Sequence, residues 1–508
     1  MATDEIVTGQ LHSWSLIEKL GEGDAGEVYL VESLFDQQKA ILKRPYRSAF
    51  TSDINRQAAQ IASEAQILHT LNGLNLVVDW PSPSQAIQVH VPQVIDRSKA
   101  GTEYSDRFFI VFELAGGFDL NTLARWTRLG QADQSDRSKE IQQYLETIAD
   151  SKKIPDLILL RSLAGILGLF QHIHNFRSDE VVDSSAGLIW NDVKPAHLFW
   201  DPYHKRLTVI DWGNGQFLEI DGTTPDFRFT RISDYSQFVH EMGLFLAEQA
   251  PHLHAGLEWP TARIQAFDLP DLMPAIREKV SELLSAELQK LQAVRQLESN
   301  LILTSYPATN QIAELEQIRQ QIILFGEIPD HAGAQKFCLH LASHLVAEGR
   351  LMEFRENCTQ ASQLPEAEVD KWRFLDHMAQ ITPQDESGTG TSKLTKAFLH
   401  AIQAGLQGDW PTALWALFSV SSKGEEPDWW DDIARGIRWF EFGIDPAVPT
   451  PYIAVKRALH TMQSASIQLE DTRPRSPEPA PPFWMRSARC NRPHRRPSSA
   501  AWSSPGHR

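Results

Sequence analysis

Hydrophobic and β-branched residues in the first 115 positions occur in short runs, and these runs predict strands. The predicted strands are EVYLVES (27–33), KAILK (39–43), VPQVID (92–97) and RFFIVFEL (107–114). Between them, residues 54–71 carry apolar side chains every three or four positions, which is the spacing of one helix face. The pattern therefore predicts a β-rich region that contains one helix.

From about residue 118 the pattern becomes mainly helical. The stretch LRSLAGILGLFQHIHNF (160–176) is apolar almost all round, which predicts a buried helix. Short strands are predicted at GLIW (187–190) and RLTVID (206–211), and a further helix at 235–249. A β-rich region followed by a helical region with a small β insert is an α+β arrangement.

Beyond about residue 300 only helical periodicity continues. It covers residues 308–324, 334–348, 365–380 and 392–420. The stretch AGLQGDWPTALWALF (404–418) predicts two helices joined by a tight turn at Gly408. It resembles a single tetratricopeptide-type hairpin, although no steady period of about 34 residues follows. We therefore expect an α-helical accessory domain at 301–470.

The two ends of the chain differ in composition from the rest. Residues 1–13 are polar, and we expect them to form an N-terminal tail. Residues 473–508 hold eight Arg and eight Pro in 36 positions, with a single acid, Glu478. Because such a segment cannot bury enough apolar surface to offset the entropy of ordering, residues 471–508 are predicted to be a disordered Arg/Pro/Ser-rich tail. A tail that binds an acidic partner and a simply solvated tail both remain open.

Composition and charge narrow the classes of function. A chain of 508 residues with 42% hydrophobic residues is long enough for two or three domains. Its net charge of −17 argues against nucleic acid as a partner. The three cysteines (Cys338, Cys358 and Cys490) lack metal-ligand spacing, which favours a reducing, cytoplasmic location. The polar N-terminus is unlike a signal peptide, and no apolar run of about 18 residues predicts a membrane span.

Three glycines near the start of the chain suggest contact with phosphate. In LGEGDAGEVYLVES (20–33), Gly21, Gly23 and Gly26 have the spacing G-x-G-x-x-G, and Val28 follows. A dinucleotide-binding motif leads from its glycines into a helix, whereas these lead into a predicted strand. A strand–turn–strand with glycines lets backbone N–H groups approach phosphates closely, because glycine has no side chain. An ordinary glycine hairpin is the competing interpretation.

A lysine and a glutamate follow at suggestive positions. Lys43 lies 17 residues after Gly26, in the predicted strand AILK, and Glu64 lies on the predicted helix 54–71. A lysine inside a sheet requires an anion, either a phosphate or a carboxylate such as that of Glu64. An edge-strand surface lysine and a solvated helix face are the alternatives for these two residues.

Two aspartates complete the set of chemically active residues. The stretch IWNDVKPAHLFWDP (189–202) contains Asp192, Lys194 and His197, and Asp211 begins the sequence DWG 19 residues after Asp192. One carboxylate can accept a proton from an attacking hydroxyl. The other, at a strand end beside a glycine turn, can hold Mg²⁺ on a triphosphate.

These motifs together resemble the eukaryotic-type protein kinases, in a divergent, bacterial-like serine/threonine form. The matching segments are GEGDAGEV, AILK with Glu64, WNDVKPAH and DWG, and they occur in the family's order. The resemblance covers roughly residues 14–250 and extends to about 300. It implies a bilobal α+β fold with a β-rich N-lobe at about 14–115 and a helical C-lobe at about 116–300.

The resemblance also implies a role for each matching residue. The implied catalytic residues are Asp192, as base, and Lys194, beside the γ-phosphate. The implied metal ligands are Asp211 and His197. The implied ATP-binding residues are Leu20, Gly21, Glu22, Gly23, Gly26, Val28, Lys43, Glu64, Glu113 and Ala115. Phe112 falls at the gatekeeper position, Asp119 is placed loosely near the ribose, and Asp234 resembles a structural aspartate of the family.

Several positions depart from the family pattern. His197 stands where the family has a metal-binding Asn, and imidazole is a poor ligand for Mg²⁺. Transfer with one metal, a preference for Mn²⁺, and nucleotide binding without efficient transfer are all compatible with this change. Trp190 replaces the family's His, which is mainly a structural change. Asn191 replaces its Arg, which disfavours activation by loop phosphorylation. Ile41 narrows the adenine pocket, and no A-P-E motif lies between Asp211 and Asp234.

Two main functions follow from the resemblance. The first is an atypical serine/threonine protein kinase that uses ATP and Mg²⁺, or alternatively Mn²⁺, to phosphorylate a protein substrate. The second is a pseudokinase, a nucleotide-binding scaffold for a partner protein. A small-molecule phosphotransferase is a third alternative, which Lys194 disfavours. The 301–470 helices are expected to bind a partner protein or the kinase-like domain itself.

Overall fold

The structure is a computed structural model. It describes residues 5–23, 26–46, 51–71, 73–78, 86–99, 107–132, 139–176, 187–219, 223–224, 229–260, 264–304, 308, 310–364, 367–383, 392–420, 433 and 436–437. By its internal contacts the chain divides into two compact units, Met1–Asp409 and Trp410–Arg508. The predicted C-terminal tail at 471–508 lies outside the described residues.

An antiparallel sheet of six strands occupies the N-terminal part of the first unit. Its strands are β1 (Ile6–Thr8), β2 (Ser13–Gly23), β3 (Gly26–Ser33), β4 (Lys39–Arg44), β7 (Val94–Arg97) and β8 (Ile110–Glu113). The strand order is β1-β2-β3-β4-β8-β7. The four strands predicted from the sequence therefore all form, and β4 lies in the interior of the sheet.

The first strand corrects the prediction of an N-terminal tail at 1–13. β1 pairs with β2, and the connection between them is held by the buried carboxylate of Asp96. That carboxylate accepts hydrogen bonds from the backbone N–H groups of residues 10–12 and from the indole of Trp14. The polar composition of 1–13 concealed this anchor, because its partner lies more than 80 residues further along the chain.

The predicted helix at 54–71 forms as α1 (Thr51–Leu71). Its apolar face packs on the six-stranded sheet, where Ala58 and Ile61 meet Phe108 and Ile110. The burial of this face fixes α1 against one side of the sheet. The predicted periodicity therefore corresponds to a real packing surface.

A larger helical region follows the sheet, so the fold is mixed α+β with the sheet first. Its helices up to residue 302 are α2 (Leu120–Leu129), α3 (Lys139–Ser151), α4 (Asp156–Ile173), α5 (Arg231–Gln237), α6 (Gly243–Gln249), α7 (Pro251–Gly256) and α8 (Leu269–Ile302). One turn of π-helix, Phe238–Met242, joins α5 to α6.

Two smaller sheets combine strands from the helical region with two strands, β5 (Asn75–Val78) and β6 (Ile87–His90), that precede β7 in the sequence. Their other strands are β9 (Phe118–Asp119), β10 (Gly187–Ile189), β11 (Leu198–Asp201), β12 (Arg206–Val209) and β13 (Gln216–Leu218). Five of them pair in the order β5-β6-β12-β11-β9, and β10 pairs with β13. The small β insert is thus present and larger than the sequence indicated.

Helix α4 is the centre of the main hydrophobic core, as its all-round apolar sequence predicted. By length and composition alone it is also apolar enough to cross a membrane. However, 78% of that helix is buried inside the protein. We therefore describe it as a core helix.

The regular elements described after residue 302 are all helices. They are α9 (Asn310–Leu324), α10 (His331–Ala347), α11 (Leu351–Gln363), α12 (Val369–Gln380), α13 (Lys393–Leu406) and α14 (Trp410–Phe418). Gly408, where a tight turn was predicted, follows the end of α13 and has a φ of 74°. The second unit contains α14.

The predicted domain boundary near residue 300 does not separate compact units, because the first unit continues to Asp409. The connection between α9 and α10 contacts the preceding helical region directly. The carbonyl of Gly326 accepts hydrogen bonds from Tyr144 and Trp200, and Glu327 pairs with Arg161. These polar contacts join the two parts of the chain on either side of residue 300.

Candidate functional site

Lys43 lies in the interior of the six-stranded sheet. Its strand, β4, is flanked by β3 and β8, and Lys43 is opposite Val28 on one side and Ile110 on the other. Only 7% of Lys43 is exposed. The interpretation of Lys43 as an edge-strand surface residue is therefore wrong, and its charge requires partners inside the protein.

Two carboxylates from distant parts of the chain supply those partners. Lys43 Nζ lies 2.7 Å from Glu64 Oε2 and 3.2 Å from Asp211 Oδ1. The second oxygen of Glu64, Oε1, accepts a hydrogen bond from the backbone N–H of Trp212 at 3.3 Å. Lys43, Glu64 and Asp211, which the sequence singled out separately, thus lie together, whereas their binding roles stay predictions.

Charge interactions outweigh burial at Lys43 and Asp211, whereas at the fully buried Glu64 burial outweighs the charge of Lys43 and raises the pKa. Burial alone lowers the pKa of Lys43, but the carboxylates of Glu64 and Asp211 raise it above its usual value. Burial alone raises the pKa of Asp211, but Lys43 and then His197 lower it below its usual value. Lys43 is therefore a cation and Asp211 an anion at neutral pH.

Two tryptophans hold Asp211 in an unusual backbone conformation. Asp211 has a φ of 57°, in the left-handed region that non-glycine residues rarely adopt. The indole of Trp190 donates to the carbonyl of Asp211 at 3.0 Å, and the indole of Trp212 donates to the carbonyl of Val209 at 3.1 Å. Both rings are fully buried, with centroids 5.9 Å apart. A conformation fixed in this way at a cluster of charges is typical of a functional site.

Asp234 anchors the segment that carries Asp192. Its fully buried carboxylate accepts hydrogen bonds from the backbone N–H groups of Trp190 (3.1 Å) and Asn191 (2.7 Å), and it pairs with His174 Nε2 at 2.8 Å. These contacts support the structural role predicted for Asp234.

Asp192 itself is surrounded by donors. Its Oδ1 lies 2.5 Å from Lys194 Nζ, and its Oδ2 accepts a hydrogen bond from Asn214 Nδ2 at 3.2 Å. Asn214 was not identified from the sequence, although it directly follows the DWG segment. A second residue that the sequence did not reveal is Gln237, which bonds to the backbone of Val193. Both hold the loop that carries Asp192.

Asp192, His197 and Asp211 converge closely enough to hold a metal ion. One possible ligand atom from each residue lies within 4.8 Å of the other two. His197 Nε2 is 3.5 Å from Asp211 Oδ2, and His197 Nδ1 is 3.7 Å from Asp192 Oδ2. Two carboxylates and an imidazole are a donor set that suits a divalent ion.

The three predicted phosphate-contacting glycines differ in what the fold requires of them. Gly26 has a φ of 132°, and a Cβ there would lie 2.1 Å from the carbonyl oxygen of Arg44. A Cβ at Gly21 or Gly23 would meet no atom within 4 Å. The fold therefore requires glycine at residue 26, whereas the space beside Gly21 and Gly23 is open to a ligand.

The other predicted ATP-binding residues lie around the same part of the sheet. Leu20 and Glu22 are exposed on β2, close to the open glycines. Glu113 ends β8, and its N–H donates to the carbonyl of Gln93, so any contact of Glu113 with a base would use its carbonyl group. Ala115 follows two residues later in a partly exposed segment.

Two residues near that segment have clear structural contacts. The Glu113 carboxylate lies 2.8 Å from His90 Nε2 and so links β8 to β6. Asp119, placed loosely near the ribose by the sequence, caps the N-terminus of α2 by accepting from the N–H of Thr122 at 2.9 Å. The capping contact accounts for Asp119 without a ligand.

A comparison of this chain with models of protein families finds no match, and a comparison with curated proteins finds none. The interpretation of the site therefore rests on its residues and their geometry.

Proposed function

We propose that this protein transfers the γ-phosphoryl group of ATP to a serine or threonine hydroxyl of a protein substrate, on a bilobal protein-kinase-like fold. The observation that carries the proposal is the convergence of Lys43, Glu64 and Asp211 beside Asp192. Lys43 and Asp211 are 168 residues apart in sequence, yet their side chains are 3.2 Å apart. Each member also occurs in a motif of the protein-kinase pattern.

The residues present are suited to hold a nucleotide and a divalent ion. Lys43 is a fixed cation beside the glycine hairpin, because Val28 pairs with both Gly21 and Lys43 in the sheet. Phosphate oxygens require such a cation and close backbone approach. Asp211 and His197 would hold the ion. A divalent ion bound there would neutralise charge on the phosphate oxygens.

The chain's own residues then account for the transfer. Asp192 accepts the proton of the substrate hydroxyl as its oxygen forms a bond to the γ-phosphorus. The bond between that phosphorus and the β–γ bridging oxygen breaks, and ADP leaves with the electron pair. Lys43 holds the phosphates that remain on ADP, and Lys194, next to Asp192, stabilises the charge on the transferred group.

Lys194 favours a protein serine or threonine as the acceptor. It lies two residues after Asp192, as in the serine/threonine branch of the family that the sequence resembles, and it contacts Asp192 directly. Tyrosine kinases and related small-molecule phosphotransferases usually lack this lysine. Lys194 is therefore the residue that favours a serine or threonine acceptor over a tyrosine or a small molecule.

One observation favours the alternative of a pseudokinase that binds nucleotide and a partner protein. Both oxygens of Asp192 already have donors, Lys194 on Oδ1 and Asn214 on Oδ2. Each oxygen that would accept the proton of a substrate hydroxyl is therefore already in contact with another donor. His197 in place of an amide adds to this alternative, since it changes the metal ligand.

Phosphate incorporation by the full-length chain tests the proposal. The protein is incubated with radiolabelled ATP, a library of serine- and threonine-containing peptides, and either Mg²⁺ or Mn²⁺. We expect Asp192→Ala to reduce incorporation at least about a hundredfold, which is typical for loss of a general base. Asp36→Ala, on an exposed turn, is the matched control and should retain full incorporation.

The possible results separate the candidate functions. If the wild-type protein incorporates no more phosphate than Asp192→Ala with either metal, the proposal that the protein is a kinase is rejected. If ATP then still raises the melting temperature of the wild-type protein, the pseudokinase is favoured. Phosphate release that a pool of metabolites stimulates, without peptide labelling, indicates a small-molecule acceptor.

A further inference from the structure

We propose that Asp192, His197 and Asp211 form a site that binds a divalent transition ion, with Mn²⁺ as the probe, in preference to Mg²⁺ and without a nucleotide. The inference deepens the proposed function by naming the class of ion, and His197 determines that selectivity. The argument depends on which atoms of the three side chains remain available.

The hydrogen bond of His197 fixes which ring nitrogen is free. Nδ1 lies 3.0 Å from the backbone carbonyl oxygen of Asp192. A carbonyl oxygen can only accept, so Nδ1 carries the proton. In the neutral ring, Nε2 then carries a lone pair. Histidines that bind metals through one nitrogen commonly donate the other N–H to a backbone carbonyl in this way.

The free nitrogen of His197 faces another acceptor. Nε2 is 3.5 Å from Asp211 Oδ2. With a proton on Nε2 the two atoms form an ion pair; without it they are two acceptors that face each other, and a metal ion can take the place of the proton. Two acceptors at this distance repel each other unless a cation lies between them. The arrangement therefore suits a cation bound by both atoms.

Two lysines each contact the Oδ1 atom of one aspartate and leave the Oδ2 atom of both carboxylates available to an ion. Lys43 contacts Asp211 Oδ1, and Lys194 contacts Asp192 Oδ1. Asp211 Oδ2 lies near Nε2, the free nitrogen of His197, whereas Asp192 Oδ2 lies 3.7 Å from Nδ1. Asp192 belongs to the site because one ligand atom of each of the three residues lies within 4.8 Å of the others. Asn214 occupies one direction at Asp192 Oδ2, and a carboxylate oxygen has a second lone pair for an ion.

The donor set decides which ion fits best. Mg²⁺ prefers six oxygen ligands and binds nitrogen poorly, whereas imidazole is a good ligand for first-row transition ions. Two carboxylate oxygens with one imidazole nitrogen therefore favour Mn²⁺ and later transition ions. The charges of Lys43 and Lys194 neutralise part of the cluster, so the nitrogen ligand supplies the selectivity.

Direct metal binding to the full-length protein, without nucleotide, tests this inference. The free Mn²⁺ signal in electron paramagnetic resonance gives the Kd for Mn²⁺, and competition gives the Kd for Mg²⁺. We expect Mn²⁺ to bind at least about tenfold more tightly than Mg²⁺. His197→Asn, which replaces the nitrogen by an amide oxygen, should reduce that ratio roughly tenfold. His69→Asn, at an exposed position of α1, should leave it unchanged.

A measurement on the wild-type protein covers the case in which His197→Asn does not fold. Electron spin echo modulation detects ¹⁴N bound to Mn²⁺, and we expect one imidazole nitrogen. Equal Kd values for the two ions, or no ¹⁴N coupling in the wild-type protein, would overturn the inference. Phosphate transfer supported equally by Mg²⁺ and Mn²⁺, without ¹⁴N coupling, would reject the ion preference and leave the kinase proposal intact. A preference for Mn²⁺ without phosphate transfer would support the ion preference and reject the kinase proposal.

Discussion

Two groups of charges in the first unit, each centred on a buried side chain, have opposite compositions. In the Lys43 cluster, defined by Lys43, Glu64 and Asp211, one cation serves two carboxylates. In the Glu327 cluster, one carboxylate serves three cations: Arg161 and Arg295 at 2.7 Å and Lys205 at 3.2 Å. Both clusters join segments that are far apart in sequence, yet their excess charge has opposite sign.

The difference shows how to separate a structural cluster from a functional one. Glu327 is 2% exposed and lies between α9 and α10, where its ion pairs close a contact within the fold. The Lys43 cluster has surplus negative charge and adjoins His197 and the open glycine hairpin. A surplus of buried carboxylate is costly unless a cation completes it. We infer that the Glu327 cluster serves stability, whereas the Lys43 cluster is arranged for a ligand.

The largest expected effect is that of Asp211→Asn, which removes surplus negative charge from the Lys43 cluster. Phosphate incorporation should fall by roughly a thousandfold, because loss of one preorganised electrostatic contact has effects of this size. The melting temperature should stay unchanged or rise slightly, since Lys43 keeps its 2.7 Å contact with Glu64. Incorporation assays and thermal unfolding on the same preparations measure both quantities.

A different outcome for Asp211→Asn would contradict the distinction between a functional Lys43 cluster and a structural Glu327 cluster. A large loss of stability with little change in incorporation would make the Lys43 cluster structural, like the Glu327 cluster. Asp36→Asn, on an exposed turn, is the control for removal of one carboxylate elsewhere.

Glu327→Gln is expected to reduce stability and leave the site intact. Burial alone raises the pKa of Glu327, but Arg161, Lys205 and Arg295 lower it from 4.5 to about 2. That shift corresponds to about 3 kcal/mol of unfolding free energy at neutral pH. Urea unfolding at pH 7 measures the loss, and nucleotide-dependent stabilisation should be retained.

The pH dependence of Glu327→Gln gives an independent check. Because the folded pKa lies below the unfolded value, the stabilisation is complete above pH 4.5 and is lost as the pH falls towards about 2. The unfolding free energy of the wild-type protein should therefore fall towards that of Glu327→Gln across that interval. A constant difference in unfolding free energy between the two proteins from pH 7 to pH 3 would contradict this assignment.

Trp190→Phe should produce the smallest effect. It removes the indole hydrogen bond to the carbonyl of Asp211, at a cost of about 1 kcal/mol. Hydrogen exchange in residues 209–215 should become faster, because Asp211 loses the contact that holds its left-handed conformation. Trp14→Phe, whose indole bonds to Asp96 in the N-terminal sheet, is the matched control. Equal exchange in 209–215 for both variants would show that Trp190 does not hold Asp211.

The sequence predicted the elements whose patterns are local. The periodicity of 54–71 gave α1, and the runs 27–33 and 39–43 gave β3 and β4. It did not specify β5, β6 or α8. It also missed α11, and it assigned β1 to a tail. Both have weak patterns of their own and are defined by neighbours, β1 through Asp96 and α11 through packing of Phe354 and Cys358.

The site could be predicted only as a set of residue types in order. The glycine spacing, Lys43, Asp192 and DWG are visible in the sequence, because the chemistry of phosphate and metal binding restricts which residues can serve. Asn214 and Gln237 carry no such restriction, since any amide side chain within reach could make their contacts. Their roles depend on distances that no local pattern encodes.

Local sequence patterns were enough to predict an α+β arrangement and further helices after about residue 300. They also showed charged residues in the order of the protein-kinase motifs. These properties follow from side-chain chemistry and from the periods of helix and strand. Only the tertiary structure decided that Lys43 lies in an interior strand, that Glu64 and Asp211 both reach it, and that His197 faces Asp211 through a fixed nitrogen. Such pairings depend on how distant segments pack, and packing is a property of the whole chain.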